Sequence, residues 1–295
     1  MKAAADFASG KGHRDENFPV ASRLVRAELR PAIMAFYRFA RAADDVADHE
    51  TADVAQKLAQ LDGLEAGLRG EPGVSAEGEA LHASLQARGL TDRHALDLLV
   101  AFRRDVTQWR YADWAELMDY CRYSAAPVGR FVLDLHGELP ALWPLNDALC
   151  AALQVINHLQ DCAKDYRTLD RVYIPLDAFA ERGLAVDSLA DRQAVPQLRD
   201  AIACLAQRTG ELLRGARPFA EHIVDRRLAL EVGVIQALAE NLAHRLERRD
   251  PLSQRVHHRP VEAFGLALRG ALGVTATRLG RIVRGRQPGW HGSPG

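Results

Sequence analysis

The chain has 295 residues, 48% of them hydrophobic and 26% charged, a globular balance that excludes a wholly disordered polypeptide and supplies ample apolar material for a core. Lys plus Arg number 38 against 39 for Asp plus Glu, so no overall charge draws the chain to nucleic acid. No apolar signal segment opens the sequence and no stretch of about 18 uncharged apolar residues occurs, which predicts neither export nor membrane spanning, and a cytoplasmic setting. Cys121, Cys150, Cys162 and Cys204 form no CxxC pair and lie in helical-looking sequence, so they are expected to be reduced, packed thiols.

Alternating strand patterns are missing, whereas Ala, Leu, Arg and Glu recur at three- and four-residue spacing, so the expected fold is all-α. Helices are predicted over 21–49, 51–69, 76–89, 92–110, 114–136, 145–169, 197–217, 221–249 and 260–284, separated by Gly- and Pro-marked breaks. With no internal repeat and no linker, one domain is the expectation over 1–295, with flexible ends at 1–16 and 286–295.

The first helix carries the strongest local signal. Tyr37, Arg41, Asp44, Asp45 and Asp48 wind into a stripe roughly 100° wide. Asp44 and Asp48 lie one turn apart, and like charges at that spacing cost a helix a few tenths of a kcal/mol unless something compensates. Mg²⁺ takes hard oxygen ligands, combining one or two carboxylates with phosphate oxygens and water, and Arg41 could hold a phosphate in two bonds. A solvated acidic face is the alternative reading of this string alone.

Further along, Thr91 suits an N-cap for 92–110, and Asp113 with Glu116 forms a D-x-x-E variant of the capping box for 114–136, which Pro127 should kink. On that helix Tyr120, Tyr123, Ser124 and Pro127 share a face, and Ala125, Ala126 and Gly129 permit close approach by a neighbour. Either tyrosine could stabilise a cation through its π face or be a packed aromatic.

The helix 145–169 repeats the acidic logic. Gln154, Asn157, Asp161 and Asp165 occupy one stripe about 80° wide on a helix otherwise rich in apolar residues. If buried, these groups need partners; a metal and a diphosphate would serve, and so would a hydrogen-bonded core network. Lys164, Arg167, Arg171 and Tyr173 follow within ten positions and could neutralise a leaving diphosphate, or merely complement the helix dipole. His158 and His257 read as structural, since no HxxxH or HExxH pair exists. In 260–284 and just beyond, Arg269, Arg278, Arg281, Arg284 and Arg286 alternate with Leu266, Leu268, Leu272, Val274, Leu279 and Ile282, a pattern that suits an anionic membrane surface and equally a solvated terminal helix.

Four strings together resemble the squalene and phytoene synthase family of head-to-head prenyl transferases: R-x-x-D-D-x-x-D at Arg41 to Asp48, Y-C-x-Y-x-A-x-x-V-G at Tyr120 to Gly129 with a small change at Ser124, Q-x-x-N-x-x-x-D-x-x-x-D at Gln154 to Asp165, and R-V-Y-x-P at Arg171 to Pro175. The resemblance covers roughly residues 15 to 250. It implies a helical bundle of the isoprenoid synthase type around a central apolar cavity. It also implies two or three Mg²⁺ ions held by Asp44, Asp48, Asp161 and Asp165, with Asp45 and Asn157 as further candidates, and a prenyl diphosphate substrate. Tyr120 becomes the catalytic tyrosine beside those aspartates, and Tyr37, Arg41, Gln154, Asn157, Arg171 and Tyr173 become diphosphate or cavity contacts. Where many members carry an S-x-S-F-like string before the first helix, this chain has Asp15-Glu-Asn-Phe18 and then Pro19-Val-Ala-Ser22; Asn17 and Phe18 are placed with the substrate contacts. These strings look like the hydroxysqualene-forming branch that serves the bacterial hopanoid pathway. That branch acts on presqualene diphosphate and adds water, with no nicotinamide and with other pathway enzymes as partners. The rival readings are a family member that condenses two prenyl diphosphates to presqualene diphosphate, squalene, dehydrosqualene or phytoene, and a non-catalytic helical assembly factor that keeps the fold.

Overall fold

A computed structural model describes residues 26–283, with side chains through residue 280. Among the described residues the chain is all-α, with no strand beyond one isolated parallel bridge between Arg110 and Val172. The expected flexible ends, Asn17, Phe18 and the rest of the Asp15 to Ser22 stretch, together with Arg284 and Arg286, lie outside the described residues, as does the Arg281 side chain.

Proline and capping side chains set most helix boundaries, and several differ from the sequence expectation. Helix α1 (Arg30–Ala47) starts later than predicted because Pro31 falls in its first turn, where a missing N–H costs nothing. Helix α2 (Val54–Leu68) opens with a capping box: Asp53 accepts from the Gln56 N–H at 2.8 Å while Gln56 accepts from the Asp53 N–H at 3.2 Å. Helix α3 is Ala76–Gln86, and α4 is Arg93–Thr107. Thr91 accepts from the Arg93 N–H at 3.2 Å but stands one residue before the cap position, which is Asp92.

The single kinked helix expected over 114–136 is two helices, α5 (Trp114–Ser124) and α6 (Ala126–Leu135), broken at Ala125 (φ −123°, ψ −49°). Pro127 has no N–H to continue α5, so it starts a new first turn instead. The Asp113 cap accepts from the Glu116 N–H at 2.9 Å, but the Glu116 carboxylate answers the Ala112 N–H, leaving the box half formed. Helix α7 (Trp143–Leu169) follows a 3₁₀ turn at Pro140–Leu142, and α8 (Leu176–Ala180) is short and was not anticipated. Helix α9 is Pro196–Ala216. The helix expected over 221–249 is also two, α10 (Phe219–His222) and α11 (Arg226–Leu246), because Asp225 accepts from the N–H groups of Arg227 and Leu228 and so caps a fresh start. Helix α12 is Pro260–Val283.

Apolar side chains gather into two clusters that meet at α6. One joins α1 to α4 with Phe131 of α6, whose ring stacks on Phe36 at 4.1 Å; the other joins α5 through α12, centred on Ala152, Val155, Ile156 and Leu159 of α7. Burying such side chains is worth about 1.5–3 kcal/mol each, which holds α1 and α7 in place although their polar stripes are not packed. The four cysteines are free, but Cys204 is exposed and not packed as expected. Helix α12 lies against α11 so closely that a Cβ on Gly270 would come 2.4 Å from the Gly233 carbonyl oxygen. No described helix is long and apolar enough to cross a membrane.

Candidate active site

The two acidic helices line one cavity of about 290 Å³. From α1 come Tyr37, Arg41, Asp44 and Asp48, and from α7 come Gln154, His158 and Asp165. The rest of the wall includes Asp105 of α4, Tyr120 and Ser124 of α5, and Arg171 and Tyr173 from the segment after α7.

Backbone chemistry places that last segment. Helix α7 stops at Asp170, which takes a left-handed conformation (φ 50°) that aspartate tolerates better than most residues. The chain then runs beside the segment after α4: the Val172 N–H donates to the Trp109 carbonyl and the Leu176 N–H to the Tyr111 carbonyl, both at 2.9 Å. This pairing delivers Arg171, 6% exposed, to the C-terminal end of α1, where it donates to Asp48 and to the Ala47 carbonyl. It also lays Tyr173 beside α4 and α5.

Charge in the cavity is unbalanced toward the negative. Burial, then the neighbouring Asp48 carboxylate, pushes Asp44 up to about 7, although Arg41 donates to it at 2.9 Å. Burial, then Asp161, pushes Asp165 up to about 7, with Asp48 adding to the effect from across the cavity. Deeper in, Asp105 accepts from the Tyr120 hydroxyl at 2.9 Å and from the Tyr173 hydroxyl at 3.1 Å. Burial raises Asp105 to about 6 against the pull of Arg171 and these hydroxyls. Burial and the Asp105 charge hold both phenols far above their ordinary range, so they stay protonated donors.

Aromatic rings close the floor. Tyr111, Tyr120 and Tyr173 lie with centroids 5.1 to 5.7 Å apart, and the His158 ring stacks on Tyr173 at 3.6 Å. Burial, then the Arg171 charge, lowers His158 to about 3, so its imidazole is neutral. A cavity with a carboxylate rim and an aromatic floor can bind a cation-bridged anion at one end and shelter a carbocation at the other.

The donor set fits Mg²⁺. Asp44, Asp48 and Asp165 present hard oxygens whose mutual repulsion a cation would relieve. Among the described residues no group of three His, Cys, Asp or Glu could hold a metal by itself, so the remaining coordination positions would fall to substrate oxygens and water, as is usual for this ion.

The family model for squalene/phytoene synthase matches residues 12–262. The chain belongs to the squalene/phytoene synthase family. Among family members, the hydroxysqualene synthase of Rhodopseudomonas palustris is 51% identical over 294 residues, spanning 100% of this chain and 99% of its own. That of Zymomonas mobilis is 54% identical over 272 residues, spanning 92% of each. The crystal structure of squalene synthase HpnC from Alicyclobacillus acidocaldarius matches with a TM-score of 0.70 at 32% identity, covering 83% of this chain and 92% of that one.

Not every residue singled out from the sequence reaches the cavity. Asp45 turns to Arg41 at 2.6 Å, and neither it nor Asn157 nor Asp161 forms part of the wall; the Asp161 side chain is 45% exposed and 3.9 Å from Lys164. Arg167 is spent on the Asp191 carbonyl, and Tyr123 lies under the Arg104 guanidinium, outside the cavity. Several residues of the wall were not assigned a role from sequence, Asp105 and His158 among them. Asp105 sits on the same face of α4 as Leu98, Ala101 and Phe102, and a carboxylate on an apolar face was the available signal. His158, taken as structural, forms part of the wall.

Proposed function

We propose that this chain is a hydroxysqualene synthase, which ionises presqualene diphosphate and admits one water to give hydroxysqualene and diphosphate without a nicotinamide. The observation that carries the reading is identity of about half along essentially the whole length to proteins of that name, in a chain whose cavity sets α1 and α7 carboxylates over an aromatic floor. Asp44 and Asp48 on one side and Asp165 on the other would hold two or three Mg²⁺ ions, with Asp161, which stands outside the wall one turn before Asp165, as a further ligand. When bound, the metal neutralises charge on the departing diphosphate. Arg41 and Arg171 bring guanidinium charge to the cavity wall beside these carboxylates, where it would attract diphosphate oxygens, and Tyr37 and Gln154 line the same cavity. Tyr120 and Tyr173 offer π faces to the cation, each contact worth about 0.5–2 kcal/mol. Asp105 accepts from both of their hydroxyls, which holds those rings in place.

The test is product identification by mass after incubation with Mg²⁺ and either presqualene diphosphate or farnesyl diphosphate, with and without NADPH. Hydroxysqualene from presqualene diphosphate, independent of NADPH, is expected. A C30 product from farnesyl diphosphate alone would replace this reading with a condensing synthase, the reading that the name of the Alicyclobacillus relative favours.

A cytoplasmic enzyme with peripheral membrane contact is the setting this reading suggests. Val261, Phe264, Leu268, Leu272 and Leu279 form an exposed apolar stripe along α12, 52–86% exposed, with Arg269 on the same helix. Substrate and product would both be long hydrocarbons that partition into lipid, and such a stripe can lie in the interface. Co-sedimentation with anionic liposomes at low salt, weakened by Phe264→Glu, is expected; no sedimentation of the unaltered protein would dispose of the contact.

A further inference from the structure

Capture by water raises a question of control, because a carbocation of this kind also loses protons readily, and the outcome depends on where the nucleophile is held. A bound water in an apolar chamber needs two or more polar partners that the protein has not already used. Two such groups stand in the cavity wall. His158 is 8% exposed and its Nε2 has no hydrogen-bond partner among the described residues; the buried Ser124 Oγ has none either. They come from different helices, α7 and α5. Tyr120 neighbours both, one turn before Ser124 on α5 and with its ring 6.0 Å from the His158 ring. Three other polar side chains of the wall are committed: the Tyr120 and Tyr173 hydroxyls to Asp105, and Arg171 to Asp48 and Ala47. Stacking on Tyr173 at 3.6 Å fixes the imidazole plane, so its acceptor direction is set before any ligand arrives.

We infer that His158 and Ser124 together hold the water that captures the cation, which makes them the determinants of an alcohol product. The inference rests on the hydroxysqualene reading. In the step, the bond from carbon to the diphosphate oxygen breaks and its electron pair leaves with diphosphate; the cyclopropylcarbinyl cation so formed rearranges and a cyclopropane C–C bond breaks, which leaves an open-chain allylic cation. The held water donates one O–H to the imidazole, accepts from the serine hydroxyl, and uses its remaining lone pair to form the new C–O bond. The proton lost from the resulting oxonium goes to a diphosphate oxygen. Presqualene diphosphate plus water thus gives hydroxysqualene plus diphosphate, with no change of oxidation state.

The experiment compares the unaltered protein with His158→Phe, His158→Asn and Ser124→Ala on presqualene diphosphate and Mg²⁺. It measures diphosphate release and, by mass spectrometry, the ratio of hydroxysqualene to unhydroxylated C30 products. His158→Phe keeps the ring on Tyr173 and removes both nitrogens. It is expected to retain ionisation within about tenfold while the alcohol share falls at least tenfold, with proton loss to a C30 polyene taking its place. His158→Asn should recover part of the alcohol, and Ser124→Ala should shift the ratio in the same direction by a smaller factor. A ratio unchanged in both Ser124→Ala and the folded His158 variants overturns the inference, even if turnover drops, because a purely structural role slows both products alike. Should His158→Phe fail to fold, an unchanged ratio in Ser124→Ala overturns it. If the unaltered protein makes no hydroxysqualene from presqualene diphosphate, the functional reading itself has failed, an outcome distinct from altered proteins that keep the alcohol.

Discussion

Arg171 joins the ends of the two acidic helices: its guanidinium donates to Asp48 at 2.5 Å and to the Ala47 carbonyl at 2.9 Å, so the turn after α7 is fastened to the last turn of α1. The Asp105 charge also faces it. Removing one member of a buried ion pair leaves the other without compensation, but Asp48 keeps 32% of its side chain exposed, so water offsets part of that loss. Arg171→Leu is therefore expected to lower the stability measured by urea denaturation by about 1.5–3 kcal/mol and to reduce turnover at least 100-fold. Arg171→Lys keeps the charge but cannot make both bonds, and should fall between; full turnover in the lysine variant would show that the second bond is dispensable.

The raised Asp44 and Asp165 carboxyls predict that function and stability part company at these positions. Asp44→Asn and Asp165→Asn remove a repelled charge while conserving shape, so melting temperature should stay level or rise. Turnover at saturating Mg²⁺ should fall about 100-fold or more, in line with the loss of one electrostatic group at a reacting centre. A drop in melting temperature of several degrees would contradict the account of the site as over-charged.

Asp105 gives a pH dependence with a definite sign. Its carboxyl holds its proton up to about 6 in the folded chain against an ordinary 3.8, so between those values the native state binds a proton that the unfolded chain has released. Stability from this group is greatest below about 4 and is lost as pH rises toward 6, by at most about 1.4 kcal/mol per pH unit. Asp105→Asn lacks that loss. Urea midpoints of both proteins at pH 4, 5, 6 and 7 should show the variant gaining on the unaltered protein through pH 6 and no further above it; a constant difference would place the carboxyl outside this range.

Because no three metal-ligating side chains converge among the described residues, Mg²⁺ and pyrophosphate should stabilise the protein together far more than either does alone. Millimolar Mg²⁺ is expected to move the melting temperature by about a degree or less, and Mg²⁺ with pyrophosphate by several degrees, as binding to the native state alone requires. Differential scanning fluorimetry checks this, and a full shift with Mg²⁺ alone would indicate a protein-only cage.

Gly129 tests the packing of α6 on α7. A Cβ there would lie 1.9 Å from Asn146 Oδ1 and 2.8 Å from Cys150 Sγ, so neighbours must move. Gly129→Ala should cost about 1–3 kcal/mol, the range for overpacking, read from denaturant midpoints.

Much of this architecture was legible in the residue pattern, for identifiable reasons. The stripes at Asp44 and Asp48 and at Asp165 follow from helical periodicity, which is local, and the structure turns both toward one cavity. What pattern alone misjudged depended on single side chains. Pro127 divides a helix instead of bending it, and Asp225 starts a new one by bonding two N–H groups. Asp45 and Asp48 differ by only three positions, yet one is taken up by Arg41 and the other opens on the cavity, a distinction set by rotamers and neighbours. Asp105 carried no more signal than a carboxylate on an apolar helix face, because its partners, Tyr120 and Tyr173, arrive from 15 and 68 positions away.

The link between the segments after α4 and α7 runs from main chain to main chain, at Val172 with Trp109, Leu176 with Tyr111 and Asp177 with Ala112. Every residue except proline carries the donor, and all carry the acceptor, so ordinary substitution leaves these bonds standing. Mutational drift can thus exchange the side chains that border the chamber while the loops beneath them keep their course, a ready route for a lineage to trade one terpenoid for another without rebuilding the enzyme.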